Sequence, residues 1–518
     1  MRKVTMVTAL VGLLALTVVP VFGAIAPQEQ GPTVQVATQN DEAQAKPADA
    51  AKKADAAKKD GAAQAPAAKP ADQAKPADQA KPAAKPNPNA LTRSQYGGGF
   101  RLTSDDGRYS IRFMGAAQFR YTYMKYDDAV NGNNVDYSNF FMRRARFWFD
   151  GHAYNPKFTY AFHLQLEPMS AVNLHDAWIN YALRPMFQIG AGRNKIAYGL
   201  EFVNSGFGNN FIDRSIFSGE TDISSGGGNS RWPGGGNEGF NVSSEDANTG
   251  FPVAGLILFR SQGVQISGKN SEKGRVFEYQ VGMWQGRNTK GASNPDAGHL
   301  FSARAAFYPN GAINWLFAGD PNDTKTFQTG FIASAYTDTS SKKVNYAGTA
   351  VPRYDTKDTG FDLAFMTRYR GFSADIEWAT ETYKLEDAQL VGDNEFDRTG
   401  WRAQFGYFIK PRVVEVVARY AEHQRLKDPT FLAVRNSGLG FAKVRNSNGV
   451  MTDAAERKLN EVTFGLNYYL NAGHQHKVFV DYSRMMRHFE GFAVGGAISG
   501  SVPEQKDDRV RAMLQLKF

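Results

Sequence analysis

Phe141-Met142-Arg143-Arg144-Ala145-Arg146-Phe147-Trp148-Phe149-Asp150 opens a run, continued to Arg193, in which four strands follow one another, each alternating apolar and polar residues. Ala145, Phe147 and Phe149 stand against Arg144, Arg146, Trp148 and Asp150. Phe158, Tyr160, Phe162, Leu164 and Leu166 then stand against Thr159, Ala161, His163, Gln165 and Glu167. Ala177, Ile179, Tyr181 and Leu183 oppose Asp176, Trp178 and Asn180, and Phe187, Ile189 and Ala191 oppose Gln188, Gly190 and Gly192. The period is two rather than 3.6, which makes a sheet with one apolar and one polar face. Such a sheet fits a soluble sandwich or a membrane barrel equally well, so the choice falls to the ends of the chain and to the strand spacing.

Only one long apolar run exists, Val4 to Val21, preceded by Arg2 and Lys3 and followed by Gly23 and Ala24, the layout of a secretory signal peptide over residues 1–26. The mean hydropathy of −0.45 is far too low for a bundle of membrane helices. With no cysteine among 518 residues, an amino-terminal lipoprotein, disulfides and thiolate zinc sites are excluded. Residues 27–96 are built largely from Ala, Lys, Pro, Asp and Gln, with AKPADQ at Ala68–Gln73 repeated at Ala74–Gln79. Such a segment has little apolar surface to bury and reads as a disordered periplasmic linker. Arg2 and Lys3 contribute +2 and residues 27–90 +1 to the net charge of +9, which leaves +6 on residues 91–518, an excess that points to a small anion as partner rather than to nucleic acid.

From Tyr109 onward sixteen candidate strands can be counted, the sixth at residues 253–267, and most are long enough to cross a bilayer at a tilt. Brief turns at Asn155-Pro156, Arg184-Pro185, Lys269 to Gly274, Arg370-Gly371, Lys410-Pro411 and Asn471 to Gln475 alternate with long loops, the longest at residues 194–252 and 425–456. Short turns on one side and long loops on the other are the asymmetry of an outer-membrane barrel; residues 310–325 alone are too long for their side. The last strand places Val510, Ala512, Leu514, Leu516 and the terminal Phe518 on one face. The expected fold is all-β: a sixteen-stranded antiparallel transmembrane β-barrel over residues 97–518, preceded by a disordered Ala/Lys/Pro-rich segment.

The terminal aromatic strand resembles the signal by which bacterial outer-membrane proteins reach their assembly machinery. Arg143-Arg144-Ala145-Arg146, Leu174-His175-Asp176-Ala177-Trp178, Gly192 to Glu201 and Phe211-Ile212-Asp213-Arg214-Ser215, with Glu415 to Tyr420 and Leu459 to Leu470 further on, resemble the phosphate-selective porin O and P family. The resemblance implies a homotrimeric outer-membrane channel whose lumen arginines pass small anions such as phosphate towards a constriction made by the third loop. Alternation places Arg112, Gln118, Arg120, Arg144, Arg146, Asp176, Arg304, Arg368, Arg370, Arg402, Arg419 and Arg511 on the lumen face, because charge on the lipid face costs about 2–4 kcal/mol near mid-bilayer. Guanidinium groups match phosphate oxygens in pairs, and Asp150, Glu167, Asp362, Glu415 and Asp481 are at hand to pair with them instead.

Lys195 stands where the family carries a lysine at the start of the inward loop, although Asn194 and Ala197 depart from the family's pattern around it. Loop residues 194–252 hold Glu201, Asp213, Glu220, Asp222, Glu238, Glu245 and Asp246 against Lys195, Arg214 and Arg231, a balance that does not suit a phosphate constriction. Serines such as Ser215, Ser218, Ser224 and Ser225 are available as donors to an anion. Competing readings are a general porin on the same scaffold and a structural tether between outer membrane and cell wall carried by the linker. No Ser and His form a credible catalytic pair and the histidines lack metal-ligand spacing, so neither an enzyme, a metal nor a cofactor is expected.

Overall fold

The computed structural model describes residues 92–93, 98–125, 136–166, 172–218, 256, 258, 260–286, 297–339, 355–386, 395–424, 441–445, 451–471, 473–491 and 504–518. The signal peptide and the linker up to residue 91 lie outside them. The strands are β1 (Thr92–Arg93), β2 (Phe100–Thr103), β3 (Ser110–Lys125), β4 (Tyr137–His152), β5 (Phe158–Gln165), β6 (Asn173–Arg184) and β7 (Phe187–Lys195). They continue with β8 (Arg260–Glu272), β9 (Arg275–Trp284), β10 (Leu300–Tyr308), β11 (Gln328–Asp338), β12 (Asp355–Tyr369) and β13 (Phe372–Glu386). The last are β14 (Glu395–Lys410), β15 (Val414–Gln424), β16 (Phe441–Arg445), β17 (Met451–Tyr469), β18 (Lys477–Gly491) and β19 (Gln505–Lys517).

β3 to β15 and β17 to β19 form a closed sixteen-stranded antiparallel barrel, each strand paired with the next and β19 returning to β3. Closure removes every long sheet edge, which a membrane demands because lipid offers no hydrogen bonds. The terminal Phe518 completes the seam: its N–H donates to Gly115 O and its carbonyl accepts from Gly115 N–H, both at 2.9 Å. Gly115 leaves room there for the Phe518 ring, which lies 2.4 Å from where a Cβ would stand. Beyond that point β3 still has an edge to cover, and β2 takes it, with Phe100 opposite Phe113 and Thr103 opposite Ser110. β16 lengthens the barrel on the long-loop side by pairing with Met451–Ala455 of β17, beyond the end of β15.

The alternation read from the sequence sorts side chains as expected. Phe301, Phe307, Phe331, Leu363, Ile376, Trp401 and Phe405 are exposed on the outer wall, while Arg304, Ser334, Asp362, Glu377 and Arg402 are buried inside. A continuous exposed apolar band of this kind is stable only against lipid.

Four features depart from the sequence reading. The sixth barrel strand is β8, running from Arg260 to Glu272 rather than over 253–267, because Leu256 and Leu258 are drawn into apolar clusters with Phe217 and Trp284 before the strand begins. Arg370 does not line the lumen: with Gly371 it forms a tight turn, φ 47° and 81°, and its side chain is exposed beside Tyr369. Two β-bulges break the period of two. In one, Gln118 pairs with Arg144 and Phe119 with Met142, so Arg143 is the extra residue; in the other, His163 pairs with Asp176 and Leu164 with Leu174, so His175 is. Each bulge turns two neighbouring side chains, Arg143 with Arg144 and His175 with Asp176, into the interior.

Candidate functional site in the barrel lumen

The third loop leaves β7 at Ile196 and turns into the barrel, where every residue from 196 to 218 except the half-buried Ser205 is buried. Its composition drives this, since its apolar side chains find partners at four stations on the wall. Ile196 and Tyr198 pack with Trp178, Trp284 and Tyr336, and Leu200 and Val203 with Tyr308, Ile332 and Met366. Ile212 packs with Phe479 and Met513, and Ile216 and Phe217 with Met124, Leu459 and Met485.

A loop buried in a lumen must still satisfy its backbone, and here wall side chains do so along its length. Gly199 N–H donates to Ser334 Oγ (2.8 Å), Leu200 N–H to Glu377 (2.5 Å), Ile212 N–H to Asp481 (3.4 Å) and Ile216 N–H to Glu461 (2.9 Å). In return the carbonyls of Gly206, Phe207, Asn210 and Asp213 accept from Gln118 (3.2 Å), Gln515 (2.9 Å), Asn467 (2.7 Å) and Arg419 (2.9 Å).

Two loop carboxylates anchor the arrangement. Asp213 accepts from Arg120, from Arg143 Nε at 2.7 Å and from Arg511 Nη1 at 3.0 Å, with Arg144 at 3.7 Å. Glu201 accepts from Ser215 N–H (2.9 Å), Ser215 Oγ (2.6 Å) and Ser218 Oγ, with Arg402 at 3.6 Å and Arg419 at 3.8 Å. The loop therefore crosses the barrel from the β7 wall to the β15–β19 wall.

The match of residues 114–518 to the family model described as phosphate-selective porin O and P decides the identity. The chain belongs to that porin family. Its fold and family are those of an outer-membrane channel. Similar solved structures include OmpT, an outer-membrane protein of Vibrio cholerae, at 11% identity, covering 82% of this chain and 99% of that chain with a TM-score of 0.42. An anion-selective porin from Comamonas acidovorans matches at 9% identity over 79% of this chain and 100% of that chain, TM-score 0.43. The outer-membrane channel DcaP of Acinetobacter baumannii matches at 11% identity over 80% of this chain and 99% of that chain, TM-score 0.42. Comparison with curated proteins found no match.

In this porin most of the arginines named from the sequence are held in ion pairs. Arg112 meets Asp150 through two bonds (2.9 and 2.5 Å), Arg368 meets Asp375 (2.6 Å), and Arg402 meets Glu377 (2.6 Å). Arg419 meets Glu461 (2.5 Å) and Arg511 meets Asp481 (2.7 Å). Arg120 and Arg144 face Asp213, and Arg304 lies over the Trp315 ring at 4.7 Å. Lys195 turns its ammonium into a cage of loop carbonyls, Phe202 O and Asn204 O at 2.8 Å and Val203 O at 3.3 Å. Arg214 holds the same turn through Glu201 O (2.9 Å) and Asn204 O (2.9 Å). Ser215 and Ser218 are spent on Glu201, while Ser224, Ser225 and the other five loop acids lie outside the described residues.

Between the wall and the loop is a chamber of about 140 Å³ lined by Arg146, Lys195, Arg260, His163, Asp176, Asn194, Gln265 and Gln280. Asp176 bonds Arg260 Nε at 2.6 Å and His163 Nδ1 at 2.9 Å, and Trp148 stacks on His163 at 4.7 Å. Ligand-type atoms of His163, His175 and Asp176 lie within 4.8 Å of one another. A metal ion there would displace or face the Arg260 guanidinium, so the group reads as a carboxylate balanced by cations rather than as a metal centre.

Sequence reasoning missed Arg143, His175 and Arg260. Two adjacent arginines in one strand were the available signal for the first, since without a bulge one of them must face lipid. Arg260 was passed over because period-two alternation puts it in register with Val264 and Ile266, which are exposed on the outer wall, although its own side chain is buried.

Burial would raise the carboxyl pKa of Asp213, but Arg120, Arg143, Arg511 and Arg144 outweigh it and hold the group well below the usual range. Burial works the same way on Glu201 and is likewise overcome by Arg402, Arg419 and the two serine hydroxyls. A depressed pKa in the folded state means these anchors are at full strength above the ordinary carboxylate range and are lost only as pH falls through the depressed values. Conductance noise from this loop is therefore expected to stay constant from neutrality down to about pH 4, where free carboxylates titrate. Planar-bilayer recordings across that range check it; noise rising already at about pH 5 would show that the anchors are not clamped.

Proposed function

We propose that this porin passes small anions by passive diffusion, phosphate or polyphosphate among them, with preference arising at the chamber beneath the third loop. The observation that carries this is the charge balance there: three cations, Arg146, Lys195 and Arg260, surround a single carboxylate, Asp176. A site of that sign draws in an anion, and its polar lining of Asn194, Gln265 and Gln280 supplies exchangeable rather than tight contacts. The family's description supports phosphate as the anion. The chain is further proposed to act as a homotrimer in the outer membrane, reached through the barrel assembly machinery, with residues 27–96 as a periplasmic linker.

A second reading, a general porin, has its own support. Among the described residues fourteen arginines and Lys477 are buried against sixteen carboxylates, so the interior as a whole has no excess of positive charge. Paired charges of this kind shape the field across a pore without selecting one sign.

The reversal potential of the purified protein in a potassium chloride gradient separates the two. The expected result is an anion-sided potential, with chloride current reduced as phosphate is added. A potential near zero would leave the general porin as the function, and a cation-sided one would give control to the acidic residues of the loop.

A further inference from the structure

Barrel strands on the short-turn side need only two residues to reverse, as at Arg370-Gly371, yet β10 and β11 are joined by residues 309–327. This extra chain is folded inward: Ile313, Trp315, Ala318 and Asp320 are buried. Trp315 Nε1 donates to Glu278 at 3.0 Å, and Ile313 and Trp315 share an apolar cluster with Leu200 and Val203 of the third loop. The two segments also meet backbone to backbone. Ser205 N–H donates to Leu316 O at 3.1 Å and Ala318 N–H to Gly208 O at 2.8 Å. The approach is close enough to demand glycine, because a Cβ on Gly208 would lie 2.3 Å from Leu316 O.

The far end of the connection is tied down independently. Asp320 accepts from Gly371 N–H at 2.9 Å, and Asn322 O accepts from Arg412 at 3.2 Å. His474, in the turn between β17 and β18, stacks on Phe317 at 5.5 Å. Its burial holds the imidazole neutral, so one ring nitrogen can donate to Ala318 O (2.8 Å) while the other accepts from Lys477 (2.7 Å). The connection thus touches the turns at Gly371, Arg412 and His474 while carrying the third loop on its inner side. Trp315 and Leu316 also line the chamber that holds Arg146 and Lys195.

We propose that residues 309–327 are the second element of the constriction: they hold Ser205–Gly208 of the third loop from the short-turn end, and Leu316 with Trp315 forms the apolar lip that a solute passes on leaving the chamber. Apolar lips limit flux because an ion there loses hydration without receiving a polar contact. The inference rests on the chain being a porin and is independent of which ion it prefers.

The test uses the full-length protein in planar bilayers. Replacing the lip by Leu316→Gly is expected to give a roughly twofold or larger rise in single-channel conductance, with the sign of the reversal potential unchanged. A variant whose barrel is folded, judged by its heat-dependent migration on gels, and whose conductance equals the parent's would overturn the proposal. The absence of native cysteine allows a second measurement that does not depend on that variant folding. Ser205→Cys combined with Leu316→Cys is expected to cross-link on oxidation in native membranes and to lower current noise relative to the reduced form. Failure to cross-link, or noise indifferent to oxidation, would also count against it. Cross-linking reads the contact and the unmodified protein's conductance reads the porin assignment, so the two can fail separately.

Discussion

Asp213→Asn is expected to cost the barrel about 3–5 kcal/mol and to release the third loop, because it removes the carboxylate that Arg120, Arg143 and Arg511 share and Arg144 faces. All five groups are no more than 1% exposed, so water cannot take over from the lost charge. Asparagine keeps the shape and one acceptor oxygen, which isolates charge as the variable. The measurable results are a lower temperature for the heat-induced gel shift and larger current noise, both caused by guanidinium groups repelling one another across a vacated centre. Added phosphate should restore part of the lost heat stability and chloride much less, since phosphate offers several oxygens to several guanidinium groups at once. Parental heat stability and quiet current in the variant would mean that Asp481 and Glu461 alone hold this side of the loop.

Arg146→Glu is the second large effect expected. It converts the chamber from three cations and one carboxylate to two of each, at a position 3% exposed where the field is weakly screened. The reversal potential in a potassium chloride gradient should move from the anion side towards or past zero. Arg146 lies over the Phe207 ring at 5.9 Å, and Asp176 keeps Arg260 as a partner at 2.6 Å when Arg146 is replaced. An unchanged potential would remove the chamber as the origin of selectivity and favour the general porin.

The two variants probe different properties. Asp213 belongs to the lock that positions the loop, and Arg146 to the space the loop encloses. With the chamber as the proposed origin of selectivity, a change there leaves the Asp213 lock in place. The reverse does not hold, because the loop is one wall of the chamber.

What the sequence determined by itself is the barrel. Period-two alternation from Phe141 to Arg193, sixteen such runs, brief turns alternating with long loops and a final strand ending on Phe518 are all local properties. Lipid outside and polar groups inside leave a closed antiparallel sheet as their solution. The lumen face was legible for the same reason, apart from Arg370 in its exposed turn, Arg260, and the two bulges, whose extra residues Arg143 and His175 break the period while keeping polar groups off the lipid.

What only the tertiary structure decided is the use made of that face. The third loop was read from its acids as unsuited to a phosphate constriction; its apolar residues carry it inside, and Glu201 and Asp213 are matched there by arginines from β3, β4, β14, β15 and β19. Asp213 and Arg511 are 298 residues apart. No local pattern specifies such a pair, because a charge in sequence shows only that it needs a partner, and barrel closure chooses which one comes within reach. The same holds for residues 309–327, which stood out only as too long for their side of the barrel. Their length has a physical reason once the third loop is seen above them, since two extra segments meeting inside a lumen satisfy backbone groups that neither could bury alone.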